Sequence, residues 1–266
     1  MYTRINEEIS KFAHNMFAHC FLWTILLTAV VGCGEPDEAT PAEDGFKKIF
    51  NGKTLDGWEG DPTYWRVEDG ALVGEVTPST LLDRNSFIIW QGDMPSDFEL
   101  KVEYRISADG NSGINYRSER VEGVPYALRG YQADLDGQNR YTGMNYEERR
   151  RTTLAAIGEK VILPPMPETD SLETYIQNNQ WTARNVVGSL GNVDSLKANI
   201  NNGNWNEYHI IARGNHLQHY VNGALMSDAT DRDTVNRRFD GRLGVQVHVG
   251  PPMKVEYRNF RIKRLN

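Results

Sequence analysis

Residues 98–117 read FELKVEYRISADGNSGINYR. Phe98, Leu100, Val102, Tyr104 and Ile106 alternate with Glu99, Lys101, Glu103 and Arg105. A period of two turns one apolar face toward a core and one polar face outward, so the stretch predicts a strand. Asp109-Gly110-Asn111-Ser112-Gly113 supplies turn residues, and Ile114 and Tyr116 then resume the alternation with Asn115 and Arg117. The same pattern recurs. Residues 65–67 and 71–74 flank Glu68-Asp69-Gly70, a second hairpin signature. Further short apolar runs fall at 46–50, 86–90, 126–135, 205–213, 217–221, 242–249 and 255–263. Many short strands with few helix patterns predict an all-β domain, a β-sandwich or jelly roll.

Residues 143–203 break the pattern. YEERRRTTLAA at 146–156 is rich in helix formers and charge, 158–167 is extended and proline-rich, and 172–185 is polar and aromatic. The stretch is too long for a hairpin loop. Long excursions from a rigid sandwich commonly carry binding groups, so an inserted loop and helix are expected to form a lid or rim over a groove.

Ahead of the strands, residues 21–31 form an apolar run, FLWTILLTAVV, preceded by Arg4 and Lys11. It is shorter than the roughly 20 residues that span a bilayer and suits the apolar centre of a secretory signal. It ends at Val30-Val31-Gly32-Cys33, which resembles the lipobox of bacterial lipoproteins. Residues 1–32 are therefore expected to be a removed signal, with Cys33 lipid-modified. Residues 33–45, acidic and without large apolar groups, are expected to be a flexible tether, and 46–266 the folded domain. Cys20, the only other cysteine, lies in the leader, so the mature chain has neither an internal disulfide nor a thiolate. The protein is expected on the bacterial cell envelope, on the periplasmic or outer-surface side, held to the membrane by that lipid. The net charge is −7, and the leader's two acidic and two basic residues cancel. An acidic surface argues against nucleic acid as a partner and suits neutral ligands or a bound cation.

Alternation also places candidate polar groups. In residues 130–135, Tyr131, Ala133 and Leu135 are the apolar members, so Gln132 and Asp134 share the other face. In 244–250, Val245, Val247 and Val249 face the core, leaving Gln246 and His248 outward. Glu103 and Arg105 form a third pair at the same spacing. If the three strands share a sheet, these six residues line one groove. Plainer uses exist: Glu103 with Arg105 suits a cross-strand ion pair, and Asp134 suits a turn. Trp90 and Gln91 end a strand where the indole suits sugar stacking or the core. Arg149, Arg150 and Arg151 suit a solvated helix face, from which one, Arg151 being the candidate, reaches a substrate hydroxyl. His216 reads as exposed loop and His219 as core.

Several segments, in order, resemble one family. They are FNGKTLDGW, FELKVEYR, GNSGINYR, GYQADLDG, YEERRR, WNEYHIIARGNHLQHYVNG and GRLGVQVHVGPPMKVEYRNFRIKRL. Together they are similar to the 3-keto-disaccharide hydrolase domain. The resemblance implies a concanavalin A-like jelly roll and cleavage of glycosides already oxidised at C3, often assisted by a divalent metal. It also implies a separate sugar oxidoreductase upstream, since no dinucleotide fingerprint occurs here. A ketone at C3 acidifies the hydrogen on C2, so a base, a positive group at the ketone oxygen and a donor for the leaving oxygen are required. Glu103 is the expected proton-transfer group, and Asp134 and His248 the expected metal or substrate-oxygen contacts. Arg105, Gln132, Gln246, Trp90 and Arg151 are the expected substrate contacts. Two other readings stay open: a conventional glycoside hydrolase using Glu103 and Asp134 as its carboxylate pair, and a carbohydrate-binding module without catalysis.

Overall fold

The computed structural model describes residues 45–166, 171–177 and 184–265. The expected signal, the lipidation site Cys33 and all but the last residue of the tether lie outside the described residues. The strands are β1 (Lys47–Lys48), β2 (Trp58–Glu59), β3 (Trp65–Glu68), β4 (Ala71–Val76), β5 (Ser86–Trp90), β6 (Phe98–Ile106), β7 (Asn111–Arg120), β8 (Leu128–Asp136) and β9 (Asn145–Glu148). They continue as β10 (Thr152–Ala155), β11 (Glu159–Leu163), β12 (Asn185–Ser189), β13 (Asn206–Arg213), β14 (His216–Val221), β15 (Ala224–Asp231), β16 (Arg242–Val247) and β17 (Met253–Arg264). Two short helices, α1 (Leu172–Gln177) and α2 (Val193–Lys197), complete the described elements.

The strands build a jelly-roll sandwich of two sheets. One has ten strands, in the order β12-β11-β15-β14-β13-β6-β17-β4-β3 with β1 on β17. The other has seven, in the order β10-β9-β8-β7-β16-β5-β2. β6 lies inside the larger sheet between β13 and β17, and its burial alternates residue by residue as the sequence predicts. Leu100, Val102 and Tyr104 of β6 share one core with Ile114 and Tyr116 of β7 and with Tyr131 of β8. Phe98 meets Tyr116 edge-on at 5.9 Å, and Tyr116 stacks on Tyr131 at 5.6 Å. Each such side chain contributes about 1.5–3 kcal/mol by leaving water, which makes the inter-sheet layer the main source of stability.

The expected excursion is largely sheet. Residues 145–155 form the β9–β10 hairpin on one edge of the smaller sheet, not a helix. Asn145 and Glu147 face inward there, and Glu147 meets Arg151, so burial overrides the helix propensity of the Glu/Arg run. β11 then crosses to the larger sheet and runs parallel to β15. In its described strands the segment closes one side of the sandwich and is not a lid.

A different element covers the outer face of the seven-stranded sheet. The register of β7 on β8 slips between Tyr116 and Glu119, where Arg117 takes φ +45°. Such a bulge bends a strand, and the end of this hairpin turns across the sheet. Tyr126 O accepts from Phe87 N at 2.8 Å, and Arg120 pairs with Glu59 on β2 at 2.7 Å. Leu128 descends over Gly244, where a Cβ would lie 2.7 Å from Leu128 Cδ1 and 2.9 Å from the backbone Ile88 O, so glycine suits the crossing. Beneath the cover, Phe87, Ile89 and Leu128 make a small second apolar cluster.

Candidate functional site

Polar residues occupy the remainder of that outer face. On β8, Tyr131, Ala133 and Leu135 enter the core and leave Gln132 and Asp134 outward. On β16, Leu243, Val245 and Val247 enter the core and leave Gln246 outward. These three converge as the alternation predicts. Gln132 Nε2 donates to Asp134 Oδ1 at 2.6 Å, and Gln246 Nε2 donates to Gln132 Oε1 at 3.2 Å. Gly113 of β7 stands opposite Asp134, and a Cβ there would come within 2.7 Å of Gln132 Nε2. Glycine therefore leaves room for the chain of amides. Two buried oxygens in this region, Gln246 Oε1 and Asn115 Oδ1, have no donor. Asn115 is in register with Gln132. Unpaired buried acceptors are costly, and a ligand's hydroxyl groups would satisfy them.

A second carboxylate comes from β9. Glu148 is in register with Gly130 and only 7% exposed, and its Oε1 accepts from Asn85 Nδ2 at 3.2 Å. Asn85 Oδ1 in turn accepts from Val249 N at 3.0 Å, which ties the end of β16 to the group. Arg149 Nε lies 3.7 Å from Glu148 Oε1. Burial raises the Glu148 pKa, opposed by Asn85, by the charge of Arg149 and by a hydrogen bond with Gln246. Burial pushes Asp134 up to about 8, opposed by Gln132 and reinforced by the charges of Glu148 and Asp136. Asp134 thus holds a proton at neutral pH and can donate, while Glu148 has a cation beside it and is the better acceptor.

His248 follows directly after β16. Its Nδ1 lies 2.5 Å from Val249 O, and it meets the cluster through the backbone of Val249 on Asn85. Burial holds it below the usual imidazole value. Among the described residues, no three or more His, Cys, Asp or Glu side chains gather around one point. Asp134 and Glu148 are hard oxygen donors of the kind a divalent ion prefers. The donor set falls short of the ion expected on Asp134 and His248.

Four expected residues lie elsewhere. Glu103 and Arg105 point outward from β6, which belongs to the opposite sheet. Glu103 accepts from Arg258 Nε at 2.7 Å and Asn259 Nδ2 at 2.6 Å. Arg105 makes a two-pronged contact with Glu256 at 2.7 and 2.8 Å. Their parity is as expected, but they share no face with Asp134. Trp90 is packed against the core, because Phe87 and Ile89 hold the outward positions of β5. Arg151 is fully buried between Glu147 at 2.5 Å and Asp231 at 2.7 Å, out of reach of a ligand. His219 is in the core as expected, and His216 pairs with Asp228 at 2.9 Å. Strand alternation does not single out Glu148 or Asn85. The only signal for Glu148 was the spacing of two from Tyr146, hidden in a run that reads as helix.

The model of the 3-keto-alpha-glucoside-1,2-lyase-like domain matches residues 45–263. A 3-keto-disaccharide hydrolase of Bacteroides thetaiotaomicron is 34% identical over 92 residues, 29% of this chain and 29% of that protein. The match therefore spans less than a third of that relative. A Bacillus subtilis protein of unknown function with a galectin-like fold superposes with a TM-score of 0.52 at 10% identity, over 84% of this chain and 96% of the other. A carbohydrate-binding module, also from Bacillus subtilis, superposes with a TM-score of 0.48 at 16% identity, over 78% and 95%.

Proposed function

Because the chain belongs to the 3-keto-alpha-glucoside-1,2-lyase-like domain family, we propose that it cleaves glycosides already oxidised at C3, by elimination across C1 and C2. The observation that carries this reading is the pair of buried carboxylates with opposite surroundings. Asp134 has only an amide for a partner and holds its proton, whereas Glu148 has Arg149 beside it. Two groups whose environments separate their protonation states are what acid–base chemistry needs.

The ketone at C3 acidifies the hydrogen on C2. Glu148 takes that proton, and the electron pair of the C–H bond forms the C2–C3 double bond of an enolate, with the charge on the former ketone oxygen. The enolate collapses to the ketone, a double bond forms between C1 and C2, and the C1–O bond breaks. The leaving oxygen keeps the bonding pair and takes the proton of Asp134. The products are an alcohol and an unsaturated 3-keto sugar. Addition of water across that double bond, hydroxyl to C1 and proton to C2, gives the free 3-keto sugar, so the sum is hydrolysis. Gln132 aims Asp134, and the free oxygens of Gln246 and Asn115 accept hydroxyl protons of the sugar. A separate oxidoreductase supplies the ketone, and a lipid on Cys33 holds the enzyme at the cell envelope.

The test is a chain lacking residues 1–33, assayed on matched native and 3-keto-glycosides. Cleavage confined to the 3-keto form is expected. Cleavage of the native glycoside would assign the carboxylates to conventional hydrolysis. Binding of both without turnover would make the domain a carbohydrate-binding module.

A further inference from the structure

Arg149, Arg150 and Arg151 follow one another in the turn between β9 and β10, yet their side chains have separate fates. Arg151 is committed to the interior, between Glu147 and Asp231. Arg150 is 13% exposed, near Glu147 at 3.4 Å, with Nη2 on Asn236 Oδ1 at 3.1 Å. Both tie the turn to the rest of the fold. Arg149 does not. Its ion pair is with Glu148 at 3.7 Å, its buried Nε has no hydrogen-bond partner, and its side chain is 34% exposed.

The backbone at Arg149 is also unusual. Its φ is +55°, a left-handed conformation that glycine takes freely and a residue with a Cβ takes at a cost. A turn that needed only this backbone would be better served by glycine or asparagine. Strain of this kind gathers at functional sites, where the side chain's position is what matters. Here the side chain stands against Glu148 Oε1, the oxygen that Asn85 also holds. Among the described residues, Arg149 is the only Lys or Arg in an ion pair with either Asp134 or Glu148.

We infer that Arg149 binds the C3 ketone oxygen of the substrate and carries the charge of the enolate. The inference rests on the reaction proposed above. In that reaction the base and the positive group must address neighbouring atoms, the hydrogen on C2 and the oxygen on C3. A guanidinium 3.7 Å from the base has the matching separation. Its guanidinium, on a side chain that is partly exposed and with an Nε–H that has no partner, offers a planar fork of donors suited to an oxyanion. Before substrate binds, the charge of Arg149 favours the ionised form of Glu148 against the burial that raises its pKa. When the ketone arrives, the guanidinium shares its donors with the ketone oxygen and Glu148 becomes a stronger base. The C2 proton then passes to Glu148, the electron pair moves onto the ketone oxygen, and Arg149 keeps all its protons. An amide could also donate to this oxygen, but Gln132 is already committed to Asp134.

Arg149→Gly is the informative variant, because glycine relaxes the backbone while removing the guanidinium. Its melting temperature is expected to equal or exceed that of the wild type. Its kcat/KM on a 3-keto-glycoside is expected to fall about 10²–10³-fold, the usual loss for one oxyanion donor. Exchange of the C2 hydrogen with deuterated water should fall in parallel. Guanidinium chloride at tens of millimolar should restore part of the rate, and sodium chloride at equal ionic strength should not. Wild-type kcat/KM in Arg149→Gly, or equal rescue by both salts, would overturn the role of Arg149. A wild type that leaves every 3-keto-glycoside intact would instead overturn the reaction itself, and the role with it.

Discussion

Gln132 and Asp134, two residues apart on β8, are joined side chain to side chain at 2.6 Å. The bond settles the orientation of the amide, because a carboxyl oxygen takes its N–H and its own oxygen is left for Gln246 Nε2 at 3.2 Å. No cation accompanies the contact, so burial dominates and Asp134 is driven to about 8. In the proposed reaction the neutral carboxyl of Asp134 is the acid, and Glu148, paired with Arg149, is the base.

The pH dependence follows. With Asp134 as donor, kcat/KM on a 3-keto-glycoside should fall as pH rises through about 8, where that proton is lost. On the acid side it should fall where Glu148 gains a proton, above the ordinary carboxylate value because burial raises it. The two limbs belong to the pair, since each charge acts on the other. Asp134→Asn should abolish the alkaline limb and cost roughly 10²–10⁴-fold in rate. Survival of that limb in Asp134→Asn would assign the acid to another residue.

Glu103 serves as the contrasting position. It lies on the opposite sheet, partly exposed, within reach of Arg258 and Asn259. Surface pairs of this kind contribute about 0–1 kcal/mol. Glu103→Gln should keep kcat/KM within about twofold of wild type and shift the unfolding free energy by no more than about 1 kcal/mol. A loss of turnover without a loss of stability would return Glu103 to the chemistry.

Arg151 separates structural from functional arginines. Its removal leaves buried Asp231 without its cation and buried Glu147 with only Arg150, at 3.4 Å. Breaking such a group typically costs about 3–5 kcal/mol. Arg151→Ala should show that loss in chemical denaturation, while the fraction that remains folded binds substrate with unchanged KM. A raised KM with unchanged stability would make Arg151 a substrate contact.

Strand alternation made the faces legible but not the sheets. Glu103, Arg105, Gln132, Asp134 and Gln246 all point away from the core as their spacing predicts. Parity says nothing about which strands pair, and the pairing of β6 with β13 and β17 takes Glu103 and Arg105 to the other side of the molecule. Trp90 shows the converse: with Phe87 and Ile89 held under the cover of the β7–β8 hairpin, its own place is the core. That cover depends on a bulge at Arg117 and on the close approach at Gly244, neither of which has a local signature. Glu148 was obscured because Glu and Arg are good helix formers, and only burial against Tyr116 and Asp231 makes the segment a hairpin.

His219 predicts how the fold responds to acid. It is fully buried, with its ring edge-on to Tyr116 and to Tyr208. Its Nδ1 lies 3.0 Å from Met144 O, a carbonyl that can only accept, so Nδ1 carries the hydrogen. Nε2 then accepts from Tyr116 Oη at 2.9 Å, and both nitrogens are satisfied in the neutral ring. A proton on Nε2 would place a charge in the core and break that bond, so burial lowers the pKa from 6.5 to about 4, against the opposing pull of Met144. The unfolded chain gains the proton near 6.5 and the folded chain only near 4. Stability from this residue is therefore complete above pH 6.5 and is lost as pH falls toward 4, by about 3 kcal/mol in all. His219→Gln should be less stable than wild type at pH 7, and the gap should narrow by about that amount at pH 4. Taking the difference between the two proteins cancels the titration of the shared carboxylates. Denaturation curves collected from pH 7 to 4 provide the measurement, and a gap that stays constant would mean that His219 does not carry this acid sensitivity.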